Sequence, residues 1–195
     1  MRLVLATKNP GKVIEFERIL AEFGAKDLEV VGLNRFSEIG DIEETGKTFE
    51  ENALLKARTI CKLTGLPALA DDSGICVDAL DGAPGLYSAR YSGNGDFANN
   101  EKLLHELRDV PDEKRGAYFI CVAAYVRPDG FEHLAEGRFY GSILRQVIGD
   151  GGFGYDPLFK PEGMELSSAQ LSAAEKDAIS HRGKAMRAIA PYIIG

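Results

Sequence analysis

Two adjacent carboxylates, Asp71 and Asp72, stand in Ala70-Asp71-Asp72-Ser73-Gly74 between the apolar runs Leu66–Leu69 and Ile75–Val77. The pattern predicts a strand that breaks at the acidic pair. On extended chain their side chains point in different directions, so one can bind a cation while the other accepts a proton. Glu44, in an acidic loop with Asp41 and Glu43, adds a third carboxylate. Such groups suit a hard cation: magnesium takes oxygen ligands and is usually shared with substrate phosphates. With lysines in several other segments, the residues point to magnesium-dependent phosphate chemistry, in which charge on the reacting oxygens must be compensated. The competing reading of two neighbouring aspartates is turn formation on a solvated acidic loop.

Thr7-Lys8-Asn9-Pro10-Gly11-Lys12 ends one apolar run and opens a helical pattern. The first amides of a helix lack intrahelical partners and favour an anion. Thr7 and Asn9 can add hydrogen bonds, and Lys8 or Lys12 can add charge. The spacing is not that of a P-loop, and an ordinary capped helix with surface lysines is the alternative. Lys56 lies one helical turn from Asn52 on a shared face. Lys176, His181 and Arg182 are donors for an anionic or carbonyl oxygen, although an imidazole could also serve as a general acid or metal ligand. In Gly152-Phe153-Gly154-Tyr155-Asp156-Pro157, Phe153 could stack on a flat base and Asp156 could bond its edge, whereas Tyr155 reads as part of a packed aromatic turn. Tyr87, Arg90 and Tyr91 are ambiguous. His105, His133 and His181 show no zinc-ligand spacing.

These residues need a scaffold. The sequence predicts strands at Arg2–Ala6, Leu28–Val31 and Leu66–Ala70. Helices are expected from Pro10, capped by Asn9, and after Thr48, which with Glu51 could form a capping box. Gly65 ends the second of these well. A further helix covers Asp96–Leu107, and a hairpin pairs Ala117–Val122 with Phe131–Tyr140 around Pro128-Asp129-Gly130. Gly149–Pro161 reads as a loop. Ser172 with Glu175 caps a short helix, and Ser180 caps the last. Early alternation of strands and helices, then a hairpin, favours an α/β fold with a mixed sheet and flanking helices, the hairpin region forming a second lobe. We expect one domain of two lobes over residues 1–195.

The 195 residues are 45% apolar and 27% charged, ordinary globular composition. A formal charge of −7, from 23 basic and 30 acidic residues, argues against nucleic acid as a partner. No run approaches the ~20 apolar residues of a membrane span. Arg2-Leu3-Val4-Leu5-Ala6 lacks the longer apolar core of a signal peptide, so a cytoplasmic location is the default. Cys61, Cys76 and Cys121 sit in apolar segments and read as reduced and structural.

Taken together, the segments resemble one family, the inosine/xanthosine triphosphate pyrophosphatases, or Ham1-like non-canonical purine nucleoside triphosphate diphosphatases. The matching blocks are Ala6–Lys12, Glu44-Thr45-Gly46, Phe49–Ala53, Lys56-Ala57, Ala70–Gly74, Gly82-Ala83-Pro84-Gly85, Tyr87–Tyr91, Gly152–Pro157 and Ser180-His181-Arg182-Gly183. They fall in family order across nearly the whole chain. The resemblance implies a magnesium-dependent hydrolase that cleaves inosine, deoxyinosine and xanthosine triphosphates between the α and β phosphates, removing deaminated purines from the nucleotide pool. It also implies an elongated two-lobed fold with a nucleotide cleft between the lobes, usually as a homodimer.

Carried over by position, the resemblance gives the phosphate grip to Thr7, Asn9, Lys12 and Lys56, with Ser73 beside the phosphate chain. It gives the metal to Glu44 and Asp72, with Asp71 alongside, and makes Asp72 the general base, with Lys56 as its catalytic partner. Phe153, Gly154, Tyr155, Asp156, Lys176, His181 and Arg182 match positions that bind and read the base. A donor such as Arg182, His181 or a backbone amide can donate to the C6 oxygen of hypoxanthine or xanthine and disfavours the amino group of adenine. The chain departs from the family at Gln170, where an acidic residue is common, and in Arg145–Gly149. The alternative function is a non-catalytic purine nucleotide-binding regulatory protein, which would bind triphosphate without magnesium-dependent turnover.

Overall fold

The computed structural model describes residues 1–24 and 28–195. A mixed sheet has the strand order β2-β1-β3-β4-β5-β6, where the strands are Arg2–Leu5 (β1), Glu29–Gly32 (β2), Ala68–Val77 (β3), Gly116–Val126 (β4), Glu132–Ile143 (β5) and Phe159–Pro161 (β6). β1 pairs in parallel with β2 and with β3, and β6 is antiparallel to β5. The helices are Pro10–Ala21 (α1), Phe49–Thr64 (α2), Gly95–Glu106 (α3), Ala173–Ile179 (α4) and His181–Ile194 (α5).

The helix boundaries follow from local chemistry. The Asn9 side chain accepts a hydrogen bond from Gly11 N, and Pro10 occupies the first helical turn of α1. The Thr48 side chain accepts from Glu51 N to open α2, and Gly65, in the left-handed region at φ 67°, closes it. Only half of the expected capping box forms there, because Glu51 Oε2 accepts from Lys47 N, one residue earlier. At α4 the box is complete between Ser172 and Glu175.

Three expectations are corrected. β3 does not break at the acidic pair; it runs unbroken through Asp71 and Asp72, both of which are buried. Charged side chains are tolerated inside a strand when partners compensate them, and both have partners here. Phe159–Pro161 is not loop but the short edge strand β6, a position where proline's missing N–H does little harm. The hairpin is not a lobe of its own: its outer part groups with the N-terminal residues.

The chain forms two compact units. Unit 1 comprises Met1–Asp72, Cys121–Gly137 and Arg182–Gly195. Its core joins Leu3 and Leu5 of β1, Phe16, Ile19 and Leu20 of α1, and Met186 and Ile189 of α5. Unit 2 comprises Ser73–Ile120 and Arg138–His181. Its core holds Ile75 and Val77 of β3, Leu103 of α3, Phe119 of β4 and Phe139 of β5, with Tyr155, Leu158 and Phe159. Burying each such side chain contributes roughly 1.5–3 kcal/mol, so each unit has apolar material to hold its own site residues. Cys61, Cys76 and Cys121 are buried and take part in no disulfide among the described residues. Among the described residues no helix is long and apolar enough to cross a membrane.

Candidate active site

Unit 1 brings the predicted phosphate and metal residues together. A cavity of about 240 Å³ is lined by Thr7, Lys12, Glu44, Lys56 and Asp71, among others. The N-terminus of α1 opens beside it, and the Thr7 hydroxyl accepts from Asn9 N at 3.1 Å, which fixes the turn. Lys8 instead pairs with the exposed Asp41.

The two adjacent aspartates have different surroundings. Both oxygens of Asp71 accept from Lys12 Nζ at 3.0 Å, and Arg182 Nε donates to Oδ2 at 3.4 Å. Burial opposes its charge, but Lys12, Arg182 and Lys56 outweigh burial and hold the carboxyl well below the usual carboxylate range. Asp72 goes the other way. Burial pushes its carboxyl up, Lys56 and the Asn52 hydrogen bond offset this only in part, and Glu44 and Asp71 add to the rise. Lys56 Nζ bonds Glu44 Oε1 at 2.5 Å and lies 3.9 Å from Asp72 Oδ1. Burial disfavours its ammonium, yet Asp71, Asp72 and Glu44 together keep it charged. The pair therefore divides into one firmly ionised, cation-clamped carboxylate and one whose proton affinity is raised, as a general base requires.

Asn52 ties this centre to the Glu44 loop. It is buried, its Nδ2 donates to Asp72 Oδ2 at 3.0 Å, and its Oδ1 accepts from Gly46 N at 2.8 Å. A Cβ at residue 46 would lie 2.6 Å from Asn52 Oδ1 and 2.9 Å from Asn52 N. Gly46→Ala is therefore expected to displace the loop and the Asn52 amide, lowering kcat about tenfold, the size of one or two lost hydrogen bonds. Steady-state kinetics on the purified variant, with an unchanged melting curve, checks this.

In unit 2, Phe153 is 53% exposed and Lys176 Nζ sits 4.7 Å from its ring centroid. Lys176 also pairs with the buried Asp156, whose Oδ2 accepts from Phe153 N at 2.9 Å. Tyr155 is core, with its hydroxyl donating to the Ser88 carbonyl at 2.7 Å. Gly154 has both peptide groups engaged by α3. His181 is buried and stacks on Phe119, with ring centroids 4.9 Å apart. Ser73 follows Asp72 on β3 and is half-buried. Gln170 caps its own short turn, its Oε1 accepting from Ser167 N at 2.9 Å. A glutamate could accept the same bond, so this cap does not depend on the charge that the chain lacks here.

Arg182 lies in unit 1, 4% exposed, and its Nη1 donates to Glu15 Oε2 at 3.1 Å. Nothing in the local sequence marks Glu15; 167 positions separate the two residues, and no local pattern links them. The same holds for Asp96 and Asn100 of α3, whose only signal is their spacing of one helical turn.

Among the described residues no three histidine, cysteine or acidic side chains converge on a metal-binding point. The donor set of Glu44 and Asp72 still suits magnesium, which one or two carboxylates hold together with substrate phosphates.

Comparisons with known proteins bear on the family of the chain. A family model described as the Ham1 family matches residues 3–192. A dITP/XTP pyrophosphatase of Streptomyces coelicolor is 52% identical over 194 residues, covering 98% of this chain and 96% of that protein. One of Nitratidesulfovibrio vulgaris is 54% identical over 193 residues, covering 95% and 92%. Among solved structures, the Staphylococcus aureus Ham1 protein superposes with a TM-score of 0.89 at 39% identity, covering 99% of this chain and 98% of its own. A nucleoside-triphosphatase/dITP/XTP pyrophosphatase from Mycobacterium abscessus gives 0.80 at 48% identity, covering 99% and 100%. A family match along nearly the whole chain, with relatives half identical to it, carries the conclusion that this chain belongs to the Ham1 family.

Proposed function

We propose that this chain hydrolyses non-canonical purine nucleoside triphosphates, dITP, XTP and ITP, to the monophosphate and pyrophosphate, clearing deaminated purines from the nucleotide pool. The observation that carries the reading is the cluster of Asp72, Asn52, Lys56 and Glu44 beside the helix N-terminus that bears Asn9 and Lys12. The activity printed for relatives about half identical to the chain supports it.

In this reading Thr7, Asn9, Lys12 and the α1 N-terminus bind the phosphate chain, with Ser73 beside it. Magnesium held by Glu44, Asp72 and the substrate's own phosphates would supply charge compensation at the reacting oxygens. Asp72 takes a proton from water as that water's oxygen bonds the α phosphorus. The bond from the α phosphorus to the bridging oxygen breaks, and pyrophosphate leaves with the electron pair. Asn52 fixes the rotation of the Asp72 carboxylate through Oδ2, and Lys56 stays charged to meet the phosphates. Asp71, already clamped by Lys12 and Arg182, positions Lys12. Phe153 stacks on the base, while Lys176 and His181 offer donors to its C6 oxygen. Adenine presents a donor there, and the mismatch of a buried polar group costs ~1–3 kcal/mol, about ten- to hundredfold. Gly154, Tyr155 and Asp156 shape the loop that presents Phe153. The family resemblance supports a cytoplasmic homodimer; sedimentation of the purified chain checks the dimer.

With magnesium, dITP and XTP are expected to give monophosphate and pyrophosphate much faster than dATP gives products. In oxygen-18 water the label should enter the monophosphate. Diphosphate and orthophosphate as products, or equal rates on dATP, would sink the reading. Phe153→Ala is expected to raise KM for dITP about five- to a hundredfold with kcat little changed, since stacking on an aromatic side chain contributes ~1–3 kcal/mol per base.

A further inference from the structure

Phe153 is an exposed aromatic side chain on a loop with glycines at 151, 152 and 154. An exposed ring on such a loop would normally sample many positions, and ordering it on binding would weaken affinity. Here the backbone is held. Phe153 N donates to Asp156 on one side. On the other, Gly154, with φ +60°, is gripped at both peptide groups by α3. Its N–H donates to Asp96 Oδ2 at 2.8 Å, and its carbonyl accepts from Asn100 Nδ2 at 3.0 Å. Asp96 and Asn100 are one turn apart, so they share a helix face. The neighbouring Asn99 does something else: it bonds Ser92 and the carbonyls of Ser88 and Ala89.

The Asn100 amide is oriented by this contact. It is buried, and its Oδ1 has no hydrogen-bond partner among the described residues. Flipping it would set that oxygen against the Gly154 carbonyl, so the donor toward Gly154 is the group the site retains.

We propose that Asp96 and Asn100 are positioning residues for base recognition: they clamp the Gly154 peptide groups and so preorganise the Phe153 ring. The inference rests on Phe153 stacking against the base. It adds an affinity-setting pair on α3, outside the base-facing loop itself.

Kinetics on dITP with magnesium test it. Asp96→Ala and Asn100→Ala are each expected to raise KM several-fold, and the double variant about tenfold, the effect of two lost hydrogen bonds, with kcat within about twofold. Asp96→Asn keeps an acceptor and should restore most of the affinity. In a Phe153→Ala background the same α3 changes should add no further rise in KM, because the ring they position is gone. Asn100 is buried, so its variants can lose stability; Asp96 is exposed, and its variants carry the test alone if Asn100→Ala does not fold. Unchanged KM in Asp96→Ala while Phe153→Ala raises KM would overturn the clamp and leave the stacking reading standing. An equal rise in KM with and without the Phe153 ring would also overturn it. Unchanged KM in Phe153→Ala itself would overturn the stacking reading and the clamp with it.

Discussion

Asp72→Asn is expected to lower kcat by about a thousandfold or more while the chain stays folded. General-base catalysis by a positioned side chain is worth ~10²–10⁴-fold, and this carboxylate is also an expected partner of magnesium. An amide neither takes the proton nor matches a carboxylate toward a cation. The geometry, by contrast, survives the change: the amide oxygen of the new side chain can still accept from Asn52 Nδ2, which now bonds Asp72 Oδ2 at 3.0 Å. Stability should hold or rise. The folded carboxyl of Asp72 is pushed up by burial, so between its unfolded and folded values the folded state binds more protons than the unfolded state. Stability from this group therefore falls as pH rises through that window. A neutral isostere removes the cost, so without divalent ion the variant's Tm at pH 7 should equal or exceed that of the parent. Turnover near that of the parent would remove Asp72 from the base role.

Much of the scaffold was legible because its signals are local. Asn9-Pro10 at the start of α1, Thr48 and Gly65 around α2, and the Ser172–Glu175 box at α4 act within a few residues. The grouping of Lys56 with Asn52 was legible for the same reason, as one helical turn. What escaped depends on partners far along the chain. The acidic pair looks like a strand break only until Lys12 and Arg182, 59 and 111 positions from Asp71, are placed against it. β6 has three residues and ends in proline, too short to show alternation. Asp96 and Asn100 reach Gly154 across 58 and 54 positions, and no periodicity reports such a contact. The family blocks name candidate residues, but the contrast between a clamped Asp71 and an Asp72 of raised proton affinity follows from burial and neighbouring charges, which only the fold supplies.

Arg182→Met is expected to destabilise the chain by about 3–5 kcal/mol, the cost of breaking a buried ion pair from one side. For a chain of this size that lowers Tm by roughly 6–20 °C. Methionine keeps much of the volume but leaves Asp71 and Glu15 without the guanidinium they share, at 3.4 and 3.1 Å, with all three side chains largely removed from water. Burial works against the guanidinium's charge, and the two carboxylates more than restore it, pushing its affinity for the proton up. The pH dependence follows from Asp71. Its folded carboxyl is held below the unfolded value of ~3.9, so its contribution is fully present above that value and is lost as pH falls toward the folded one. Without Arg182 less of that depression remains, so the Tm gap between parent and variant should be widest near pH 7 and narrow as pH drops from about 5 to 3. Removing the Glu15 charge as well separates this role from base reading. Glu15→Gln added to Arg182→Met should recover part of the lost Tm, whereas Glu15→Gln alone should lower it. An unchanged Tm with altered preference among dITP, XTP and dATP would instead mean that Arg182 turns from Asp71 and Glu15 to serve the base.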